Sequence, residues 1–339
     1  MSTGEPRAPD RDYEPSRAAA KPVDAVRVRP GSQRFTRWDA CAAIRTKPRQ
    51  RLRPLPATQA EPAFFSPDLV PLASHPLVRA RGHGRAVTLQ HLYRYLQFTV
   101  VLEQQHVNPV LIRIADRGYG LDLPESMRLD AFRIYCDEGY HALCAADLVQ
   151  QLVERTGIAP LGDDQPAAFR ALAALLAAAP EAQRPWLELG FVLVSETLVS
   201  AILTSAHADE RVEPAVRQVI LEHAQDEAVH SAYFQDLARH GWSKLPEEMR
   251  RAIGCALPRL ILSFLGPDRA HLERVLAALG FAAAERSLIL AESLPADHGL
   301  AAARAACATT LALFRGLGAF ADPVAAAALR DSRLLDGAA

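Results

Sequence analysis

The sequence predicts an all-α protein, and three observations support this prediction. Long segments without internal glycine or proline repeat their apolar residues at the spacing of a helix face. No segment shows the alternating apolar and polar pattern of a half-buried strand. The sequence also lacks the glycine-rich phosphate loop and the nucleophile elbow that would indicate an α/β fold. Half of the 339 residues are apolar, which is enough to bury a sizeable core.

Composition and charge argue against several classes of function. A net charge of −1 is unlike that of a general nucleic-acid binder. Five cysteines, an odd number without a C-x-x-C pair, indicate a reduced environment. The polar N-terminus lacks the apolar stretch of a signal peptide, and no uncharged apolar run of about 18 residues exists. We therefore expect a cytoplasmic protein that binds neither nucleic acid nor membrane.

The chain divides into three predicted parts. Residues 1–65 are rich in proline and arginine and show no periodic pattern beyond a short helix expected near residues 38–44. We interpret them as a flexible or surface-wrapping N-terminal arm. Residues 66–320 form the predicted helical domain, and residues 321–339 are expected to be a frayed C-terminal tail.

Four long helices are predicted in the N-terminal part of this domain, over about residues 87–107, 125–155, 181–206 and 214–240. Asn108-Pro109 is expected to end the first helix, because proline cannot continue the hydrogen-bond ladder. Residues 245–320 add two or three amphipathic helices, with breaks predicted at Pro258, Gly266-Pro267 and Pro295.

The second and fourth helices carry the same motif, Asp-Glu-x-x-His. Glu138 and His141 lie three residues apart on the second helix, as do Glu227 and His230 on the fourth. Side chains at this spacing share one helix face, so each pair can reach a single metal ion. The aspartates that precede the two glutamates, Asp137 and Asp226, are predicted to accept hydrogen bonds from the imidazole N–H groups.

The first and third helices each place one glutamate on an otherwise apolar face. Glu103 lies between Leu96 and Val107, and Glu196 interrupts the apolar face of the third helix. A buried carboxylate without a partner costs several kcal/mol, so unrelated glutamates would each need a separate compensation. We therefore interpret both as metal ligands.

Four carboxylates and two imidazoles are the ligand set of a ferritin-like di-iron helical bundle, here with additional C-terminal helices. Oxygen-rich surroundings suit both oxidation states of iron, and bridging carboxylates hold two iron or manganese ions close enough to share one O₂. We expect Glu138 and Glu227 to bridge the ions. Each ion would then receive one terminal carboxylate, Glu103 or Glu196, and one motif histidine.

His223 is a seventh candidate ligand. It precedes Glu227 by one helical turn and therefore shares its face. A single histidine on such a face is commonly an ordinary core residue. The shared face nevertheless favours a third imidazole ligand.

The full pattern resembles the AurF-type di-iron N-oxygenases, which are all-helical proteins of about this length. That family has two E…DExxH units and an added histidine four residues before the second glutamate. Tyr95, Glu196-Thr197 and His75-Pro76-Leu77 also resemble the family, and the similarity covers about residues 70–320. The pattern falls on Glu103, Glu138, His141, Glu196, His223, Glu227 and His230.

The resemblance implies a non-haem di-iron monooxygenase that uses O₂ as co-substrate to N-oxygenate a small-molecule amine in natural-product biosynthesis. The amine would be an arylamine or derived from an amino acid, either free or tethered to a carrier protein. Its product would be a hydroxylamine, nitroso or nitro compound. Two iron ions would cycle between Fe²⁺ and Fe³⁺. An external electron donor, a reductase or a ferredoxin, is expected because the chain has no flavin or iron–sulfur motif.

Several alternatives stay open on the sequence. A di-iron C–H hydroxylase or desaturase that acts on a carrier-bound substrate would need the same ligands. A metal-storage protein is disfavoured, because a four-helix ferritin unit needs about half this chain. A substrate carboxylate would require an arginine near the cleft, and Arg94, Arg113 and Arg133 are the candidates. The many apolar helix faces make a homodimer a reasonable expectation.

Overall fold

The computed structural model describes residues 35–54, 62–162, 165–206, 208–295 and 299–335, without the side chains of residues 199–206. Within these ranges the protein is built of helices and has no strand, only an isolated bridge between Ala63 and Val212. The predicted all-α class is thereby confirmed. None of the helices in the described ranges combines the length and hydropathy needed to cross a membrane.

Fifteen α-helices are defined within the described residues. They are α1 Trp38–Cys41, α2 Ala43–Thr46, α3 Pro71–Ser74, α4 Pro76–Ala80, α5 Gly84–Leu102, α6 Asn108–Ala115, α7 Glu125–Thr156, α8 Ala167–Ala178, α9 Arg184–Ala206, α10 Pro214–Gly241, α11 Glu247–Leu265, α12 Arg269–Ala278, α13 Ala283–Ser293, α14 Leu300–Gly316 and α15 Pro323–Asp331.

Helices α5, α7, α9 and α10 form the central bundle, with α5 against α7, α9 against α10, and α7 against α10. Two apolar cores divide the bundle along its length. One contains Leu96 of α5, Ala145 of α7 and Ile220 of α10, and the other contains Ile134 of α7 and Tyr233 of α10. The chain runs from the first core to the second in α5 and α10, and in the opposite direction in α7. On α7 and α10 the predicted ligands lie between these two levels.

The first bundle helix does not end at Asn108-Pro109, and that prediction is wrong. A π-helical turn, Glu103–Val107, follows α5 directly and leads into α6. Pro109 falls in the first turn of α6, where a missing N–H removes no hydrogen bond of that segment. The helical path therefore continues from α5 through the wider π-helical turn into α6, with Pro109 at the start of α6. Such π-helical turns are frequent at functional sites.

The C-terminal part also differs from the expectation. Helix α11 continues through Pro258, whose ring is buried. An interior proline costs a helix about 3 kcal/mol, and packing against the core offsets it here. Four helices, α11 to α14, lie within residues 245–320 instead of two or three. A frayed tail was expected beyond residue 320, but α15 packs against α11 with Ala325 and Leu329 buried.

Residues 35–54 of the predicted arm lie across α7 and α10. Arg49 forms an ion pair with Asp147, and Gln50 Nε2 donates to Glu222 Oε1 at 3.0 Å. The main-chain N–H of Leu52 donates to Gln151 of α7 at 2.9 Å. Residues 1–34 and 55–61 of the predicted arm lie outside the described residues.

Candidate metal centre

Helices α7 and α10 present the two Asp-Glu-x-x-His motifs to each other. Glu138 and His141 lie on the inward face of α7, and Glu227 and His230 lie on that of α10. All four side chains are buried, as is His223 one turn before Glu227. The i, i+3 and i, i+4 spacings put these groups on one face of each helix, as predicted.

The remaining two carboxylates come from the other pair of helices. Glu103 is the first residue of the π-helical turn, and Glu196 lies in α9. Each is 2% exposed. The structure thus brings all seven predicted side chains to one place.

Their ligand atoms form two overlapping groups. Within each group all atoms lie within 4.8 Å of one another. Glu138 and Glu227 belong to both groups, which is the arrangement expected of bridging carboxylates. The first group is completed by Glu103, His141 and His223, and the second by Glu196 and His230.

The motif imidazoles turn Nδ1 towards the centre. His141 Nδ1 lies 3.1 Å from Glu138 Oε2, and His230 Nδ1 lies 3.1 Å from Glu138 Oε1 and 3.2 Å from Glu227 Oε1. His223 instead presents Nε2, at 3.2 Å from Glu103 Oε1 and 3.3 Å from Glu227 Oε1. His141 Nδ1 also lies 3.7 Å from Glu227 Oε1, so that all three imidazoles approach this one carboxylate oxygen.

The outer nitrogen of each motif imidazole faces an aspartate of the opposite motif. His141 Nε2 lies 3.1 Å from Asp226 Oδ2, and His230 Nε2 lies 3.2 Å from Asp137 Oδ2. Since an ionised carboxylate only accepts hydrogen bonds, Nε2 carries a proton. A metal ion at the centre would replace any proton on Nδ1 and bind its lone pair. This crossed pairing joins α7 and α10 on both sides of the centre.

Two residues of the arm bind these aspartates, and sequence reasoning missed both. Trp38 Nε1 donates to Asp137 Oδ2 at 2.8 Å, and the main-chain N–H of Ala43 donates to Asp226 Oδ2 at 3.1 Å. The sequence feature that could have indicated these contacts is Trp38, which lies in a short predicted helix within an otherwise aperiodic segment. That feature does not reveal which surface the helix contacts.

The close contact of carboxylates and imidazoles shifts their proton affinities. Burial raises the pKa of Glu103 to about 7, and burial together with the charge of Glu227 raises the pKa of Glu196 well above its usual value. Burial opposes imidazole protonation, yet hydrogen bonds to Asp226 and Glu138 raise the pKa of His141 well above the ordinary value. The raised pKa values of Glu103, Glu196 and His141 show that the negative charge of the centre favours bound cations, whether protons or metal ions.

The donor set fits a pair of hard cations. Glu103 Oε2 and Glu196 Oε2 are buried and have no hydrogen-bond partner among the described residues. A buried carboxylate oxygen without a partner is costly, and a metal ion supplies the missing interaction. Carboxylate oxygens with a few imidazoles suit iron or manganese, whereas a zinc site is usually limited to four ligands.

Tyr95 stands between the centre and a larger cavity. It lines the small space beside His141 and His223, and it also lines a cavity of about 540 Å³ on its other side. Burial and the negative charge of Glu103 raise the pKa of Tyr95, so its hydroxyl stays protonated at neutral pH. Phe65 and His91 contact each other in the same cavity, with ring centroids 4.9 Å apart and ring planes inclined by 58°.

The fold is an all-α bundle, and its two groups of Glu and His side chains share Glu138 and Glu227. This combination defines the class of ferritin-like proteins with a two-metal carboxylate centre. Within that class the chain belongs to the AurF family. The model of this family, described as p-aminobenzoate N-oxygenase AurF, matches residues 53–318, which is more than half of the chain. The resemblance found in the sequence is confirmed.

One relative is the 4-aminobenzoate N-oxygenase of Streptomyces thioluteus. The two chains are 26% identical over 225 residues, which cover 64% of this chain and 66% of the relative. The matched region therefore spans just under two thirds of the relative's length.

Proposed function

We propose that this protein is an O₂-dependent di-iron N-oxygenase that converts an arylamine to its hydroxylamine and further N-oxidised products. The single observation that carries the proposal is the pair of overlapping ligand groups with a third imidazole, His223, in one of them. Two shared carboxylates support a two-ion centre. Membership of the AurF family supports iron as the metal and nitrogen as the site of oxidation.

Each ligand would have a defined role. Glu138 and Glu227 would hold both ions, whereas Glu103, His141 and His223 would hold one ion and Glu196 and His230 the other. The bound iron would supply the activation of O₂. Asp137 and Asp226 would keep the imidazole lone pairs directed inward. Burial of all seven ligands would exclude bulk water from the centre.

The reaction balances only with an external reductant. One amine, one O₂, two electrons and two protons give one hydroxylamine and one water. The N–O bond forms, the O–O bond breaks, and the second oxygen leaves as water. We propose a reductase or a ferredoxin as the electron donor.

The cavity beyond Tyr95 supports an aromatic substrate. Its volume of about 540 Å³ lies within the range of about 300–1,000 Å³ that is usual for small-molecule sites. Burial and the nearby His271 lower the pKa of His91 to about 4, so the ring of His91 is neutral at pH 7. Aromatic rings and a neutral imidazole suit a flat, uncharged arylamine. The name of the Streptomyces thioluteus relative supports the same substrate class.

The candidate arginines give no support to recognition of a substrate carboxylate. Arg94 is paired with Asp268, Arg113 with Glu188 and Arg133 with Asp130. Arg94 lines the cavity, but Asp268 lines it too and neutralises the charge of Arg94. We therefore propose an arylamine without requiring a carboxylate, free or presented on a carrier protein.

The test is a reduction and oxygenation assay with a panel of amines. The iron-loaded protein is reduced chemically, exposed to O₂ and mixed with arylamines and aliphatic amines, both free and carrier-loaded. Mass spectrometry should show added oxygen on the nitrogen of an arylamine. With labelled O₂, that oxygen should carry the label.

The matched control is Glu227→Ala, which removes a carboxylate common to both ligand groups. It should show no product under the same conditions. Oxygen added only at carbon would overturn the assignment of N-oxygenation. A folded wild-type protein that binds no iron would overturn the metal centre itself.

A further inference from the structure

The N-terminal arm contacts the metal centre at two separate points. Trp38 reaches Asp137 on one side, and the main-chain N–H of Ala43 reaches Asp226 on the other. Both contacts lie before residue 53, where the match to the family model begins. The arm therefore adds hydrogen bonds that the matched region does not contain.

Each contact is the outer end of a chain of hydrogen bonds that leads to a ligand. Asp137 Oδ2 faces Trp38 Nε1 at 2.8 Å and His230 Nε2 at 3.2 Å. Asp226 Oδ2 faces the Ala43 N–H at 3.1 Å and His141 Nε2 at 3.1 Å. Asp137 is 1% exposed and Asp226 is 8% exposed. A fixed donor on the far side of each carboxylate limits the rotation of that carboxylate.

The arm is held firmly enough to serve this purpose. Ala42 and Ala43 are buried, and Phe35 packs edge-on against Tyr233 with ring centroids 6.3 Å apart. The hydroxyl of Tyr140, the residue beside His141, donates to the Lys47 carbonyl at 3.2 Å. The short helices α1 and α2 are thus anchored both before and after the two contacts.

We propose that the arm is a working part of the metal centre, with Trp38 as a positioning residue for His230 through Asp137, and the Ala43 amide as one for His141 through Asp226. The inference rests on the proposed di-iron function. Its chemical basis is that an imidazole ligand is oriented, and made more basic, by the group that accepts its outer N–H. Loss of a donor to that acceptor loosens the imidazole and hastens release of the ion that it holds.

The first test is Trp38→Phe, which keeps an aromatic ring and removes the N–H. The protein is loaded with iron without oxygen, and a coloured chelator reports the rate of iron release. Substitution of such outer partners commonly costs about 10–100-fold in metal affinity. We expect one of the two release phases to become about ten-fold faster. Trp242→Phe, at a buried tryptophan that packs on Phe314, is the matched control and should release iron at the wild-type rate.

A double-mutant cycle separates positioning from general destabilisation. If Trp38 acts through Asp137, then Trp38→Phe should add nothing to iron release from an Asp137→Ala protein. A purely structural role would make the two effects add. Mössbauer spectra of the iron-loaded protein should show one of the two iron signals altered in Trp38→Phe and the other unchanged.

Ala43→Pro tests the other side and does not depend on whether Trp38→Phe folds. Proline is tolerated at the first residue of a helix, and the extended ψ of 139° at Ala42 suits a following proline. The variant loses only the N–H that faces Asp226. The release phase that Trp38→Phe leaves unchanged should become faster.

The possible results separate this inference from the proposed function. Wild-type release rates in both Trp38→Phe and Ala43→Pro, with faster release in Asp137→Ala, would overturn the role of the arm and leave the di-iron centre standing. A wild-type protein without iron would overturn both. The inference would be supported if Trp38→Phe and Ala43→Pro each accelerated iron release in a different phase. It would also require that Trp38→Phe cause no further acceleration in the Asp137→Ala protein.

Discussion

The two halves of the candidate centre share a motif but differ in their donors. The half around His141 has two imidazoles and one carboxylate of its own, whereas the half around His230 has one imidazole and one carboxylate. Both halves use the same two shared glutamates. Repetition of Glu and Asp-Glu-x-x-His along the chain therefore does not make two equal sites. The first half has one more neutral donor, and we expect it to hold its ion more tightly.

The two halves also differ in the backbone that carries their unshared carboxylates. Glu103 opens a π-helical turn, and Glu196 lies within the regular helix α9. A π-helical turn contains one more residue than an α-turn and rotates the side chains that follow it. The half with two imidazoles is thus also the half whose backbone contains the π-helical turn.

The largest expected effect comes from removing a group that the halves share. Glu227→Ala should reduce bound iron from about two ions per chain to nearly none, because Glu227 belongs to both ligand groups. Metal analysis after gel filtration measures the iron content. Glu213→Gln is a suitable control, since Glu213 is also a buried acid on the bundle but pairs with Arg155 at 2.8 Å, away from the centre. A Glu227→Ala protein that kept one ion would show that the halves bind independently.

A smaller effect should distinguish the halves. His230→Ala removes the only imidazole of its group and should leave about one ion per chain. His223→Ala leaves His141 in the other group and should keep about two ions, one of which exchanges faster. Iron content and the rate of exchange with labelled iron measure both effects. Equal losses in the two variants would remove the distinction between the halves.

The ligand residues could be predicted from the sequence because their geometry is local. Glu138 and His141 are three residues apart on one helix, and any α-helix puts them on one face. Glu103 could be predicted because a carboxylate on an apolar stripe has to be compensated. The crossed contacts of Asp137 and Asp226 could not be predicted from the sequence. The imidazole that each aspartate contacts depends on how α7 packs against α10.

Other features depend on long-range packing and could not be predicted. The continuation past Pro109 needs a change from α to π hydrogen bonding, which local propensity does not reveal. Helix α15 is too short to be stable alone and forms because Ala325 and Leu329 pack on α11. Docking of Trp38 on Asp137 joins residues 99 positions apart. In each case the deciding contact lies in another part of the chain.

The substitution with the smallest expected effect is Gly139→Ala, which makes the first Asp-Glu-x-x-His motif more like the second. Between Glu and His the first motif has Gly139-Tyr140, and the second has Ala228-Val229. A Cβ built on Gly139 would meet no atom within 4 Å, so alanine fits there without displacing a neighbour. Gly139→Ala should therefore raise the free energy of unfolding by about 1 kcal/mol, the usual difference in helix propensity. Urea unfolding of the metal-free protein measures this change, and the iron content should stay the same.

Gly254→Ala makes the same substitution within α11 and should have the opposite sign. A Cβ on Gly254 would collide with the carbonyl oxygen of Ala319, and the backbone there cannot yield as a flexible side chain would. The collision should outweigh the gain in propensity and lower the stability by about 1–3 kcal/mol. If Gly139→Ala were destabilising too, or if it lowered the iron content, the space beside Gly139 would serve the centre, and the halves would differ at this position for a functional reason.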